Sequence, residues 1–328
     1  MTDLLETRPN SARLNEVISR EPTAGNVFDF APKKAAPALA ILVNVSAGAY
    51  RFFGLLRLRR ALKTAGLQDQ VPLIRCFGHE LQDKALGLAR SGVLSIGVFG
   101  GDGSARTVAL ALRGLDVPTL PLPGGTLNRL CFRVHGHANL TKILRDFARA
   151  KPVWLTGGLA NEHTFLVASG FGPWMAFQDM RETIRSHGVL KGLSALRSLR
   201  RDLFAGKLTS QESGQSRDVV IAAPTFVDAA FGLGENPDEF NQPGLEVAEA
   251  RLQGIGSTLW LAAHVLARRW RRLDYAQAHI VTEKTIEFDG EEIVGLVDGE
   301  RRSFGHCVHL RAVQRAALVL STRTAFEC

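Results

Sequence analysis

The sequence has few cysteines and no long apolar segment, and each absence excludes a class of protein. The 328 residues include four cysteines, Cys76, Cys131, Cys307 and Cys328. No two of them form a CxxC pair, so we expect free thiols in a reducing compartment rather than a disulfide scaffold. The longest apolar run in a helical segment, residues 259–267, is shorter than the roughly 18–20 residues that span a bilayer.

Several common catalytic motifs are also missing. The sequence contains no GxxxxGK[ST], GxSxG or HExxH and no protein-kinase HRD/DFG set. The enzyme classes that these motifs define, including the P-loop NTPases, are therefore excluded. Two histidine pairs, His135 with His137 and His306 with His309, lack four ligands at zinc spacing, and we interpret both as structural.

Acidic residues are outnumbered by basic ones. The 40 Lys and Arg residues against 32 Asp and Glu residues give a net charge of +8 and a pI of about 9.7. This balance indicates an anionic partner, which can be a nucleotide, a nucleic acid or an anionic membrane surface.

Two glycine turns follow consecutive predicted strands. The apolar run Val93–Phe99 leads into Gly100–Ser104, and the run Pro118–Leu122 leads into Gly124–Thr126. Glycine lets backbone N–H groups approach phosphate oxygens closely, and an open α/β sheet binds such ligands at the carboxyl ends of its strands. The two turns therefore predict a phosphate-binding site.

Asp102 lies between the glycines of the first turn, where its carboxylate could position Mg²⁺ or accept a proton. The alternative is a plain glycine turn that caps the helix predicted at Ala105–Arg113, with Asp102 as its N-terminal cap. The second turn weakens this alternative because two such turns fall at neighbouring strand ends.

The order of elements predicts two domains of different class after a flexible tail at residues 1–36. Strands and helices alternate over residues 37–151, which favours an N-terminal doubly wound parallel α/β sheet that binds nucleotide. Short alternating strands dominate residues 152–328, which favours an antiparallel, β-sandwich-like second domain that binds the substrate.

Four motifs occur in an order that resembles the diacylglycerol kinase catalytic-domain family. This family comprises soluble lipid kinases, including sphingosine kinases and bacterial lipid kinases of the same fold. The resemblance covers about residues 38–322. The motifs NPxSG, GGDGT, PxGTxN and DGE correspond here to Asn44–Gly48, Gly100–Ser104, Pro123–Asn128 and Asp298–Glu300.

The resemblance implies an ATP site in the cleft between the two domains, with Mg²⁺ as a second cofactor. Glu300 would be the general base, and Asp298 would hold Mg²⁺ or orient Glu300. Asp102 is the alternative base, and Asp298-Gly299-Glu300 could instead be a plain hairpin turn. The residues implied to bind ATP are Asn44, Gly48, Gly100, Gly101, Gly103, Ser104, Gly124, Gly125, Thr126 and Asn128.

The chain departs from the family pattern at several positions. Val45 and Ala47 replace the Pro and Ser of NPxSG, and Ser104 replaces Thr. Arg129 stands where the family usually has Asp, and it could contact phosphate directly. These changes leave an inactive or altered-substrate member of the family as an alternative.

A basic segment at residues 268–272 surrounds one tryptophan. Its members are Arg268, Arg269, Trp270, Arg271 and Arg272. One interpretation is a solvated helix end, and another is a membrane-contact patch in which Arg pairs with anionic headgroups. No nucleic-acid-binding motif supports the third interpretation, a nucleic-acid surface, and no nucleic-acid partner is expected.

Taken together, these features predict a cytoplasmic, peripherally membrane-associated lipid kinase. Its partners would be ATP, Mg²⁺, a diacylglycerol-like or sphingoid lipid and an anionic membrane surface, with a homodimer left open. The alternatives are a non-catalytic lipid- or nucleotide-binding homologue and a kinase with a soluble acceptor such as NAD, since NAD kinases are distant relatives that share a GGDG turn.

Overall fold

The computed structural model describes most of the chain outside the first 36 residues. The described residues are 37–47, 53–172, 208–210, 214, 216–225, 244–252, 257, 260–261, 264, 269–290 and 292–323. The predicted tail at residues 1–36, Gly48 and Arg268 lie outside them.

The N-terminal half forms a parallel sheet with strand order β2-β1-β3-β4. The strands are β1 (Ala40–Asn44), β2 (Leu73–Cys76), β3 (Ile96–Gly100) and β4 (Thr119–Pro123). Every residue of β1, β3 and β4 is buried, as expected for central strands that are covered on both faces. Because the strands are parallel, the segments that follow β1, β3 and β4 emerge at the same edge.

Helices cover both faces of this sheet. They are α1 (Gly54–Thr64), α2 (Leu81–Arg90), α3 (Asp102–Ala111), α4 (Arg129–His135) and α5 (Leu140–Arg145). Leucines of α1 and α5 pack in one apolar cluster, and apolar residues of α2, α3 and α4 pack in another. The predicted doubly wound α/β architecture is confirmed.

The helix after β3 begins earlier than the sequence predicts. It starts at Asp102, with Gly101 as its extended N-cap residue, rather than at Ala105. An acidic residue in the first turn interacts favourably with the positive end of the helix dipole. Asp102 is therefore part of the helix, and only Gly101 lies between the end of β3 and the start of α3.

The rest of the chain is rich in antiparallel strands. They are β5 (Lys151–Ala160), β6 (His163–Phe165), β7 (Ser169–Phe171), β8 (Leu208–Ser210), β9 (Ser216–Arg217), β10 (Val219–Pro224), β11 (Leu245–Ala250), β12 (Ala276–Val281), β13 (Glu283–Phe288), β14 (Val294–Val297), β15 (Glu300–Ser303) and β16 (Cys307–Ser321). One sheet of the described residues has the order β12-β11-β10-β7-β14-β15, and all its pairs are antiparallel. The predicted β-rich second half is confirmed.

The long strand β16 joins the two halves. It pairs with β4 in parallel at Val319 and with β5 and β13 in antiparallel fashion. The alternating pattern predicts two strands here, at Cys307–Leu310 and Ala317–Leu320, but one strand runs through, with a register shift between Val313 and Ala317. Strand β5 begins at Lys151, and the predicted domain boundary at residues 151–152 stays a prediction.

Among the described residues, no helix is long and apolar enough to cross a membrane.

Candidate nucleotide-binding and phosphoryl-transfer site

The two glycine turns touch each other through their backbones. The Gly124 amide donates to the Gly100 carbonyl at 2.9 Å. A Cβ atom built on Gly125 would lie 2.5 Å from the Cα atom of Gly101. Any larger residue at position 125 would therefore push the turns apart, which explains why glycine is required there.

Asn44 connects the end of β1 to the start of α3. Its Nδ2 donates to Ser104 Oγ at 2.8 Å, and its Oδ1 accepts from the Ser46 amide at 2.9 Å. The Ser104 hydroxyl also leaves no room for a side chain at Gly100, where a Cβ atom would be 2.7 Å away. Ser104, which stands where the family usually has threonine, thus uses its hydroxyl to join the end of β1 to the start of α3.

Asn128 closes the second glycine turn. It adopts a left-handed conformation with φ of 51°, which asparagine tolerates better than most residues. Its side chain bonds to Gly125 twice, accepting from the amide at 2.8 Å and donating to the carbonyl at 3.0 Å. Thr126, between them, is exposed.

Asp102 links the first turns of two helices. Its Oδ1 accepts from the Leu130 amide at 2.8 Å, and the Arg129 amide also bonds to the carboxylate. Burial raises the pKa of Asp102 above its usual value, although these amides and the Arg129 charge favour the ionised form. The backbone of Arg129, the unusual residue of the PGGTLN motif, is thereby tied to the GGDG turn.

Asp298 occupies a tight turn between β14 and β15. Its backbone is left-handed, with φ of 48°. Its carboxylate accepts three backbone amides, from Leu166 and Val167 at 2.7 Å each and from Ala168 at 3.0 Å. Burial raises the pKa of Asp298, while the amides and the Arg106 charge oppose that shift. This carboxylate anchors the turn to the segment between β6 and β7.

Glu300, two residues later, faces the start of α3. Its Oε2 accepts from Arg106 at 2.5 Å and from Arg302 at 2.8 Å. Its Oε1 lies 2.7 Å from the position of a Cβ atom built on Gly103. The structure therefore brings Glu300 against the GGDG turn, almost 200 residues away in sequence, as the resemblance implies.

Arg106 and Arg133 are functional candidates that the sequence analysis missed. Arg106 is 7% exposed, and besides binding Glu300 it donates to the Val297 carbonyl at 3.0 Å. Arg133 is 2% exposed and donates to the Leu166 carbonyl and, at 2.8 Å, to Thr156 Oγ1. Burial lowers the pKa of Arg133 to about 10. Arg106 lies on the buried side of α3, and Arg133 lies on the buried side of α4. A buried arginine needs a polar partner, so an arginine at such a position is the signal that could have identified both residues.

The tryptophan of the segment that was expected to contact a membrane, residues 268–272, is buried in the structure. Trp270 is 4% exposed and packs in an apolar cluster with Val219 and Leu261, so its ring does not reach the surface. Arg271 pairs with Glu246 and lies over the Trp270 ring at 5.0 Å. Arg269 and Arg272 are exposed, and membrane contact by these arginines stays a prediction.

Residues 38–154 match the diacylglycerol kinase catalytic domain. The resemblance to that family is confirmed for a divergent sequence, and the matched segment contains both glycine turns, Asp102 and Arg106. No match to a curated protein sequence was found.

Solved structures share the fold over most of the chain. A diacylglycerol kinase from Bacillus anthracis strain Sterne is similar with a TM-score of 0.57 at 14% identity, covering 88% of this chain and 98% of that one. A candidate diacylglycerol kinase from the same strain gives a TM-score of 0.62 at 17% identity over the same shares. At these identities the likeness establishes the fold.

Proposed function

We propose that this protein is an ATP- and Mg²⁺-dependent lipid kinase that transfers the γ-phosphate to a lipid hydroxyl. The observation that carries the proposal is the contact between Glu300 and the GGDG turn. It brings a carboxylate beside a glycine-rich helix start, within a domain that matches the diacylglycerol kinase catalytic domain. Phosphoryl transfer needs chiefly such positioning and charge stabilisation.

The start of α3 is suited to bind phosphate. Its N-cap residue, Gly101, has no side chain to occupy the first amides of the helix, and α3 has ten residues whose dipoles add at this end. The neighbouring turn at Gly124–Gly125 adds backbone at close range. The geometry therefore fits an anionic phosphate chain lying across the two turns.

The carboxylates present fit a Mg²⁺ ion held mostly by phosphate. The described residues contain no cluster of three or more His, Cys, Asp or Glu side chains that could hold a metal. Magnesium in kinase sites often uses one or two carboxylates and completes its shell with phosphates and water. Asp102 is our candidate ligand, and the ion would neutralise charge on the phosphates.

Glu300 is our candidate general base. Its Oε1 would accept the proton of the acceptor hydroxyl while that oxygen bonds to the γ-phosphorus and ADP leaves. Arg106 positions this carboxylate by holding its other oxygen and, at the same time, the Val297 carbonyl before the turn. In this proposal Asp298 is a positioning residue, because its two carboxylate oxygens hold three amides.

The test is labelling of lipid by the purified full chain. Incubation with γ-³²P-ATP, Mg²⁺ and a total lipid extract should give a labelled phospholipid, which mass spectrometry of the product would identify. Asp102→Asn should abolish labelling while leaving the circular dichroism spectrum unchanged. Absence of labelled lipid with correctly folded wild-type protein would contradict the proposal.

A non-catalytic binding protein is the second candidate function. The observation that favours it is the pairing of Glu300 with two arginines, together with Arg129 in place of the family's usual acidic residue. Tight ATP binding by calorimetry without any turnover would support this alternative. Labelling of NAD but not of lipid would instead indicate a soluble acceptor.

A further inference from the structure

The exposed side of α1 carries a stripe of apolar and basic side chains. We call Phe53, Leu56, Arg57, Arg60 and Lys63 the α1 stripe. Leu56, Arg57, Arg60 and Lys63 are spaced i, i+1, i+4 and i+7 and so lie on one side of the helix, and Phe53 is the N-cap residue just before its first turn. All five are exposed, whereas Leu58, Ala61 and Leu62 on the other side are buried against the sheet.

The apolar end of the stripe is unusually open to solvent. Phe53 is 81% exposed, and Leu56 is 44% exposed. Phe53 also adopts a left-handed conformation with φ of 58°, which is an outlier for a bulky residue. A phenylalanine held in solvent at a conformational cost indicates a role at an interface, because it contributes nothing to the core.

The remainder of the stripe belongs to a basic face. Helix α1 contains Arg57, Arg59, Arg60 and Lys63 and no acidic residue. The adjoining α5 and the turn after it add Lys142, Arg145 and Arg149, with Asp146 paired to Lys142 at 2.6 Å. The opposite face of the sheet differs, since α2 and the turn before it carry two acidic residues, Glu80 and Asp83, against Lys84 and Arg90.

The stripe begins at the edge of the sheet that carries the candidate site. Helix α1 follows β1, whose last residue, Asn44, bonds to Ser104 of the GGDG turn. The N-terminus of α1, with Phe53 and Leu56, is therefore at the carboxyl edge of the sheet, where both glycine turns lie. The apolar end of the stripe is at the edge that carries the site, and its basic end points away.

We propose that the α1 stripe docks the protein on an anionic lipid bilayer. Phe53 and Leu56 enter the boundary between headgroups and acyl chains, while Arg57, Arg60 and Lys63 contact anionic headgroups. The mixture of exposed aromatic and cationic residues fits a charged bilayer better than a nucleic acid, which would leave the apolar residues without a partner. The inference rests on the proposed function, because docking on a bilayer would bring a lipid kinase to its substrate. The binding itself requires no catalysis.

Vesicle sedimentation without ATP or Mg²⁺ tests the docking. Wild-type protein should bind phosphatidylcholine vesicles containing 30% phosphatidylglycerol far more tightly than pure phosphatidylcholine vesicles, and salt should weaken the binding. The triple variant R57Q/R60Q/K63Q should bind the anionic vesicles about 100-fold more weakly, since each surface cation contributes roughly a factor of five. The double variant F53S/L56S should weaken binding at least about tenfold.

A matched control removes the same charge elsewhere. K84Q/R90Q/R113Q alters three exposed cations on and beside the opposite face and should bind vesicles as the wild type does. Equal losses in both triple variants, unchanged binding in R57Q/R60Q/K63Q, or retention of a 20-nucleotide RNA in place of vesicles would overturn the proposal. A stripe-dependent dimer in sedimentation velocity, without vesicle binding, would also overturn it.

The vesicle-binding experiment and the lipid-labelling experiment can fail independently of each other. Vesicle binding that depends on the stripe, in a protein that labels no lipid, would support docking and refute the kinase. Labelling of a short-chain, water-soluble acceptor that survives in R57Q/R60Q/K63Q, with lost vesicle binding, would support both.

Discussion

The two glycine turns and the β14–β15 turn meet at the start of α3, but they bring different chemical groups to it. The glycine turns contact each other through backbone atoms, at Gly100 with Gly124 and at Gly101 with Gly125. The β14–β15 turn acts through the carboxylates of Asp298 and Glu300. The first region is suited to bind phosphate without side chains, and the second region brings ionisable groups to it.

The two carboxylates of the second region differ as well. Asp298 holds three backbone amides and is directed inward, whereas the side chain of Glu300 is 40% exposed and shared between two arginines. Two acidic residues separated by one glycine therefore have different tasks. One fixes the turn, and the other is left facing Gly103, where a reacting group could approach it.

Within the second region, replacing Glu300 gives the largest expected effect and tests whether that region does chemistry. Glu300→Gln keeps the shape of the side chain but removes the proton acceptor, so kcat should fall about 10²- to 10⁴-fold. ATP affinity, measured by calorimetry, should change little because the glycine turns remain. Glu283→Gln, in an exposed position of β13, is the control and should retain full activity. An unchanged kcat in Glu300→Gln would remove Glu300 from the mechanism.

Replacing Asp298 tests whether its role is to hold the turn. Asparagine tolerates the left-handed backbone, so Asp298→Asn isolates the loss of a charged acceptor for three amides. Urea unfolding should show a loss of about 2–4 kcal/mol in the free energy of unfolding. Asp116→Asn, at an exposed position between α3 and β4, is the control and should cost less than about 0.5 kcal/mol. Equal costs for the two variants would contradict the anchoring role.

The glycine turns can be separated by a single methyl group. In Gly125→Ala the new Cβ would lie 2.5 Å from the Gly101 Cα atom, which requires backbone movement. ATP affinity should fall at least about tenfold, a cost of about 1.4 kcal/mol in binding. Gly87→Ala, in α2 with no atom within 4 Å of the new methyl group, should bind ATP normally and stabilise the fold by about 0.5–1 kcal/mol. Normal ATP affinity in Gly125→Ala would show that the contact between the turns is dispensable.

The smallest expected effect is the pH dependence of the free energy of unfolding that His135 causes. His135 lies between the Pro121 carbonyl and Thr322 Oγ1, each at 3.0 Å, and burial lowers its pKa to about 3 from the usual 6.5. Because the unfolded chain binds the proton first, the contribution of this group is present above pH 6.5 and is lost as the pH falls toward 3.

Comparison of unfolding at two pH values measures this effect. The wild type should lose about 1.4 kcal/mol more than His135→Gln between pH 7.5 and pH 5.5. Other titrating groups are common to both proteins and cancel in the difference. Parallel losses would mean that His135 is not held neutral.

Much of the N-terminal half could be predicted from the sequence because its signals are local. Buried parallel strands appear as continuous apolar runs, and the turns after them contain glycine, so both the doubly wound sheet and the adjacency of Gly100 and Gly124 were expected. Strand β5 was missed because Pro152, Gly157 and Gly158 interrupt the pattern of a strand. Its glycines are needed where the Phe165 ring and Ala316 pack against the backbone.

The sequence by itself determined the chemistry available at the site, namely two glycine turns, Asp102 and the Asp298-Gly299-Glu300 turn. Only the tertiary structure decided which groups meet. Arg106 is 194 positions from the glutamate it holds, and no local pattern links them. The same structure buries Trp270 and leaves Phe53 in solvent, because packing on the sheet, rather than residue type, determines which aromatic ring remains exposed.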